Sequence, residues 1–330
     1  MADGTKIEWC DATVNAINGC SLASPGCTNC YAMKQAHRFP VRQGLTMPSK
    51  GGMVWTGEVR LSESALLQPL RWKRPRIIFW NAHGDPFHPK VPVAWIDRMF
   101  MVMAATPQHI HLVLTKRTAR MRQYFADLSC DDSFRPYVRR PGWQNPSPRD
   151  GDRVILLEQG QSWPLSNVWL GTSIEDRARL NERAADLKAI TAAGHFWSAE
   201  PLLEDLGDIP AHLFPDGVIV GGESGHNARP MHPDWARNLR DQCAAAGVDF
   251  HFKQWGEWAP GECADHAQTR TEKVATWWSD KWDFDEITPR VGEELHVDDA
   301  PDLWRIGKKR AGRHLDGVQH DALPWRKEAA

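Results

Sequence analysis

No run of apolar residues in this chain of 330 approaches the ~20 that a bilayer-spanning helix needs. The opening residues, MADGTKIEWCD, lack the basic and apolar regions of a secretory signal. There is no internal repeat and no low-complexity tract. The formal net charge is only −2, so overall charge points to no nucleic-acid partner and only local patches could. Tyrosine is scarce, with 3 residues against 17 tryptophans, and most of those indoles are expected in or near the core. A disulfide framework is not expected, because seven cysteines are an odd number and no export signal accompanies them. These absences predict a soluble, cytoplasmic chain with no membrane partner. Its length suits one large α/β domain or two ordinary ones.

The cysteines themselves are unevenly spread. Cys10, Cys130, Cys243 and Cys263 are scattered and fit small buried hydrophobes. Cys20, Cys27 and Cys30 fall inside eleven residues of GCSLASPGCTNCYA. Three thiols are one short of a closed structural zinc site. Zinc would need His37 or Cys10 as a fourth ligand, and no second C-x-x-C or H-x-x-x-H pair follows. A thioredoxin-like redox pair would use Cys27 and Cys30 but leave Cys20 without a role. A [4Fe–4S] cluster held by three thiolates would keep one iron open for an exogenous ligand. Gly19, Pro25 and Gly26 allow the tight turns that such a loop needs. The spacing alone leaves all three alternatives standing.

Elsewhere, short apolar runs end on polar residues: 76–85 (RIIFWNAHGD), 110–117, 167–176, 195–202, 217–225 and 248–256. Each core is four to six residues long, as for strands buried on both faces of a parallel sheet. Helical spacing lies between them at 92–107, 173–194 and 232–247. Pro92 suits the first helix start, Ser173 followed by Asp176 suits a cap on the second, and Gly194 and Gly247 suit stops. With a short first strand near 7–18, the pattern predicts an α/β fold, a full or partial (β/α) barrel with parallel strands. Residues 1–256 would form it, with an Arg/Pro-rich insertion at about 117–153, and 257–330 would be a C-terminal extension packed on it. Function in such folds collects at strand C-terminal ends. Those ends carry Asn81, His83, Asp85, Thr115, Lys116, Thr172, Ser173, Glu175, Ser198, Glu200, Glu223, Ser224, Lys253 and Gln254.

The cysteine loop resembles that of the phage and bacterial three-Cys-motif proteins, a divergent branch of the radical SAM superfamily. NAHGDPFHPKVP, LVLTKRTARM, NVWLGTSIED, SAEPLLEDL, VIVGGESGHNARPMHPDWARNLRDQC, FKQWGEW and IGKKRAGRHLDG resemble its blocks in the same order. The commonest radical SAM spacing is C-x-x-x-C-x-x-C; here the first gap is six residues, as in this branch, and Asn29 replaces the usual aromatic. The resemblance implies a radical SAM type of partial barrel and a [4Fe–4S] cluster on Cys20, Cys27 and Cys30. It also implies bound S-adenosyl-L-methionine and a 5′-deoxyadenosyl radical that abstracts hydrogen, with an electron donor such as flavodoxin or ferredoxin as partner. It assigns Tyr31, Asn81, His83, Asp85, Thr115, Ser173 and Glu175 to cofactor binding and leaves Glu200, Glu223 and Lys253 for catalysis. Glu223 suits a structural ion pair with Arg229 equally well.

For a substrate, RWKRPR places Arg71, Lys73, Arg74 and Arg76 around Trp72, and 117–153 adds Arg139 and Arg140 among aromatics. Basic residues interleaved with aromatics suit a phosphate backbone and an unstacked base. A solvated surface balanced by nearby acids is the plainer alternative. The family's phage setting implies DNA with a modified base, of the aminoacyl-thymine type, isomerised during thymidine hypermodification in the host cytoplasm. A base-lesion lyase of the spore photoproduct type, a small-molecule or peptide-modifying radical SAM enzyme, and a zinc-stabilised nucleic-acid-binding protein without catalysis are the alternatives.

Overall fold

The computed structural model describes residues 4–129, 163–263, 270–295 and 301–327. Seven strands form one sheet: β1 (Ala12–Val14), β2 (Ile77–Trp80), β3 (Ile110–Thr115), β4 (Val168–Ser173), β5 (Gly194–Ala199), β6 (Gly217–Gly221) and β7 (Asp249–Gln254). They lie in sequence order. Parallel registers set Ala12 opposite Ile78, Ile77 opposite Ile110, His111 opposite Val168 and Gly217 opposite Asp249. Every residue of β2, β4, β5 and β6 is buried, which explains their near-continuous apolar sequences. The crossover helices are α1 (Val93–Ala104), α2 (Thr118–Ser129), α3 (Arg177–Lys188) and α4 (Pro233–Ala246). This is the expected partial β/α barrel, with parallel strands in sequential order.

Several boundaries differ from the sequence expectation. Ser173 ends β4 and does not cap a helix. Asp176 caps α3, its Oδ1 accepting from Arg179 N at 2.8 Å. Gly194 does not stop that helix but opens β5, where a Cβ would lie 2.2 Å from the Trp169 indole. Gly247 does stop α4, at φ 69°. The supposed insertion begins with α2, an ordinary β3-to-β4 crossover helix. Arg139 and Arg140 lie outside the described residues. Among the described residues no helix is long and apolar enough to cross a membrane.

Two compact units divide the chain. One comprises Met1–Ala23, Ala32–Thr172 and Arg183–Phe196; the other comprises Ser24–Tyr31, Ser173–Glu182 and Trp197–Ala330. A buried polar relay ties β2, β3 and α1 together in the first. Trp80 Nε1 donates to His111 Nδ1 (3.0 Å), His111 Nε2 lies 3.1 Å from Thr106 Oγ1, and Thr106 donates to Val102 O (2.6 Å). The imidazole is therefore neutral and carries its proton on Nε2. In the second unit, Ala259–Pro260, Asp302–Trp304, Glu272–Trp278 and Lys281–Ile287 form an antiparallel sheet. Its core joins Trp258, Ala275 and Leu303 to Ala228. Trp235 of α4 meets Trp277 and Trp282 edge-on, at ring-centre distances of 5.4 and 6.2 Å.

The relay makes stability pH-dependent. Burial, then His109, pushes His111 from 6.5 down to about 3. The unfolded chain therefore takes up a proton that the folded one refuses. Stability is full above pH 6.5 and declines as pH falls towards about 3. Urea midpoints should drop between about pH 6.5 and 4, and His111→Gln should flatten that drop while lowering stability at neutral pH. Equal pH slopes in the two proteins would clear His111 of this role.

Candidate functional site

In the first unit, polar groups at the ends of β2 and β3 converge on the segment that delivers Cys20. Asp85 is buried, and its carboxylate receives four donors. Phe87 N (2.9 Å) and Thr115 Oγ1 (2.7 Å) donate to Oδ1; Lys116 N (3.2 Å) and Arg117 Nη1 (2.7 Å) donate to Oδ2. The same Nη1 lies 3.7 Å from Cys20 Sγ. Arg117 Nη2 donates to Ser21 O (3.1 Å) and Ser21 Oγ (3.0 Å). Ser21 Oγ also meets His88 Nε2 at 2.9 Å, while His88 Nδ1 accepts from Lys90 N. Burial, then Arg117, holds His88 below its usual value, so it is neutral with its proton on Nε2. A guanidinium fixed beside a sulfur favours the thiolate.

The backbone before Cys20 is equally constrained. Gly19 has φ +93°, and a Cβ there would lie 2.1 Å from Glu58 O. Its N–H donates to His83 O at 3.1 Å. Asn81, at φ 59°, accepts from Ile17 N (2.8 Å) through Oδ1 and directs Nδ2 at Met99 Sδ (3.2 Å). Its amide oxygen thus holds the turn after β1, and its nitrogen is taken up by α1. His83 is pushed down to about 4 by burial and then by Arg42, so it is neutral at pH 7.

The second unit holds Cys27 and Cys30. They share a tight turn in which Cys30 N donates to Cys27 O at 3.2 Å. Two buried strand-end carboxylates pin this segment. Glu175 Oε1 accepts from Ser24 Oγ and from Gly26 N (3.3 Å). Glu223 Oε2 accepts from Asn29 Nδ2 (2.9 Å) and Arg229 N (2.8 Å), and its Oε1 accepts from Arg229 Nη2 (2.7 Å). Arg229 Nη2 also reaches Pro25 O at 3.0 Å. Glu223 therefore makes the ion pair with Arg229 and braces the cysteine segment. Ser173 is buried at the end of β4, and Tyr31 is half exposed at the start of the short helix Tyr31–Gln35.

Glu200 and Lys253 meet at 2.8 Å, although β5 and β7 are separated by β6. Gly221 makes the crossing possible: a Cβ there would lie 2.8 Å from Glu200 Oε1.

Arg71, Lys73 and Arg74 are exposed, but they precede β2 and so lie at its N-terminal end. Asn81 and Asp85 follow its C-terminal end, with about 13 Å of strand between the two ends. Sequence reasoning missed the place of Arg117 beside Cys20. It also passed over Ser21, Ser24, Asn29 and His88. Ser24 and Asn29 stood inside the cysteine motif as its polar members, which was the available signal.

Among the described residues no three His, Cys, Asp or Glu side chains are grouped as a set for a single metal ion. In the first unit a cation lies beside Cys20, and in the second the backbone around Cys27 and Cys30 is braced. Arg117→Gln should destabilise the fold by about 3 kcal/mol, because it strips the counter-charge from a buried carboxylate. Arg117→Lys should recover only part of that, lacking the fork that reaches both Asp85 and Ser21. Urea unfolding measures both; an unchanged midpoint in Arg117→Gln would mean that the pair contributes nothing.

No curated protein and no solved structure matches the chain. Residues 4–324 match the family model described as protein of unknown function (DUF5131). That match covers nearly the whole sequence, sheet and cysteine segment included, and the chain belongs to the DUF5131 family.

Proposed function

We propose that this protein is a radical SAM enzyme that acts on a modified base in DNA, of the aminoacyl-thymine type, as an isomerase. One observation carries the reading: three thiols within eleven residues follow the first strand of a parallel sheet, on backbone braced by charged strand-end groups. Cys20, Cys27 and Cys30 would hold a [4Fe–4S] cluster. When bound with S-adenosylmethionine, that group supplies a 5′-deoxyadenosyl radical for hydrogen abstraction.

The chain's own residues would orient and protect. Arg117 sets the Cys20 side chain and offsets its negative charge. Glu175 and Glu223 fix the turn that presents Cys27 and Cys30. Ser173 and Thr115 are buried at strand ends, where few water molecules reach. Glu200 and Lys253 form the strand-end pair suited to holding a proton at Lys253 Nζ while substrate bonds change.

Anaerobic purification with iron, sulfide and zinc analysis tests the first half. About four irons per chain are expected, with an EPR signal of the reduced protein that changes on adding S-adenosylmethionine. One zinc and no iron after anaerobic reconstitution would overturn it and favour a zinc-stabilised binding protein. The second half is tested by incubating the reduced protein with DNA carrying the modified thymidine and analysing the nucleosides. Unchanged nucleosides with an intact cluster would remove the DNA substrate. Lys253→Gln should keep its iron but lower turnover by about 100-fold or more, the range of a lost proton-transfer group.

A further inference from the structure

The strand ends of the second unit bring more together than the Glu200–Lys253 pair. Between β6 and β7 the parallel register slips. Val220 lies opposite Phe252 but Gly221 lies opposite Gln254, so Lys253 is the extra residue of a bulge. A regular strand would send Lys253 and Gln254 to opposite faces. Here both reach the space over Gly221. A Cβ on that glycine would lie 2.8 Å from Glu200 Oε1 and 3.4 Å from Gln254 Cγ. Lys253 Nζ lies 2.8 Å from the same Glu200 Oε1.

Gln254 is held through its nitrogen. Nε2 donates to Gly222 O (3.2 Å) and Ser224 Oγ (2.8 Å), and the Gly222 carbonyl fixes which end of the amide is nitrogen. The residue is only 6% exposed, and its Oε1 has no donor among the described residues. A buried acceptor left unfilled costs free energy and calls for a partner. Ser224 is half-buried. It accepts from Gln254, so its own hydroxyl hydrogen points away from that amide.

The cluster thus offers two acceptors, Glu200 and Gln254 Oε1, and two donors, Lys253 Nζ and the Ser224 hydroxyl. Its two charges are opposite and adjacent. A phosphate would meet Glu200, and a lone ammonium would meet Lys253. A group with an ammonium and a carboxylate on one carbon matches both. The Lys253 and Glu200 side chains keep 20% and 14% exposure, so the pair can be reached.

We propose that this cluster binds the α-amino-acid part of the substrate. Glu200 and Gln254 Oε1 receive the ammonium, while Lys253 Nζ and Ser224 Oγ hold the carboxylate. The inference rests on the proposed aminoacyl-thymine substrate, which it deepens, and not on the iron–sulfur cluster.

The test is isothermal titration calorimetry of the full-length protein with a thymidine whose methyl carbon carries a glycyl group through its α-carbon. Its N-acetyl derivative and its decarboxylated amine should each bind about tenfold more weakly, having lost one charged partner. Ser224→Ala should weaken the parent nucleoside about tenfold and the decarboxylated amine by less than about twofold. Gly221→Ala crowds only the movable end of Glu200 and should also weaken the parent nucleoside. Urea midpoints check that both variants fold. Plain thymidine binding as well as the parent nucleoside would overturn the proposal. So would an equal loss for parent and amine in Ser224→Ala. In iron-loaded protein, Ser224→Ala should leave S-adenosylmethionine affinity unchanged; a loss there with nucleoside binding intact would give the cluster to the cofactor and overturn the proposal. Nucleoside binding with these differences, in protein that leaves modified DNA unchanged, would keep this site while the proposed reaction fell. No nucleoside binding in protein with a full cluster would sink this site alone.

Discussion

A buried carboxylate needs donors, and the way Asp85 finds them organises the segment that carries Cys20. Its four partners come from its own turn, from the end of β3 and from Arg117 at the entry to α2. Once Arg117 is oriented by Asp85, its remaining N–H groups have fixed directions, and these meet Ser21 and the Cys20 sulfur. The position of Cys20 is therefore a consequence of satisfying a charge that the fold had already buried. Removing that charge or its partner would loosen the segment without touching the cysteine itself.

The same logic recurs in the second unit with different residues. Glu175 and Glu223 end their strands in buried positions, and their acceptors are filled by Ser24, Gly26, Asn29 and Arg229. Both carboxylates hold backbone around Cys27 and Cys30. Glu200 differs. Its charge is met by Lys253 across a glycine, so it braces no loop and sits opposite a group that can exchange a proton. Three glutamates at comparable strand ends thus divide into two braces and one ion pair, a division set by which side chains reach them.

How much of this could be read in advance follows from where the information lies. The strands were legible because complete burial writes an apolar run, as in Gly217–Gly221, and the polar residues after them marked the strand ends. Gly247 was legible as a helix stop because its left-handed backbone is a local property. Ser173 and Gly194 were misread because the deciding facts are tertiary: Ser173 belongs to a strand, and Gly194 lacks a side chain to admit Trp169. The place of Arg117 was not legible for the same reason. Nothing in RTARM says that its first guanidinium turns towards residues 85 and 20, more than 30 positions upstream.

A basic run in sequence does not by itself say which end of a strand it occupies. RWKRPR catches the eye because four of its six residues are basic, yet they precede β2 and so lie at its end away from Asn81 and Asp85. Electrostatic attraction for a polyanion depends on net local charge and on how few opposing groups screen it, not on runs of like residues.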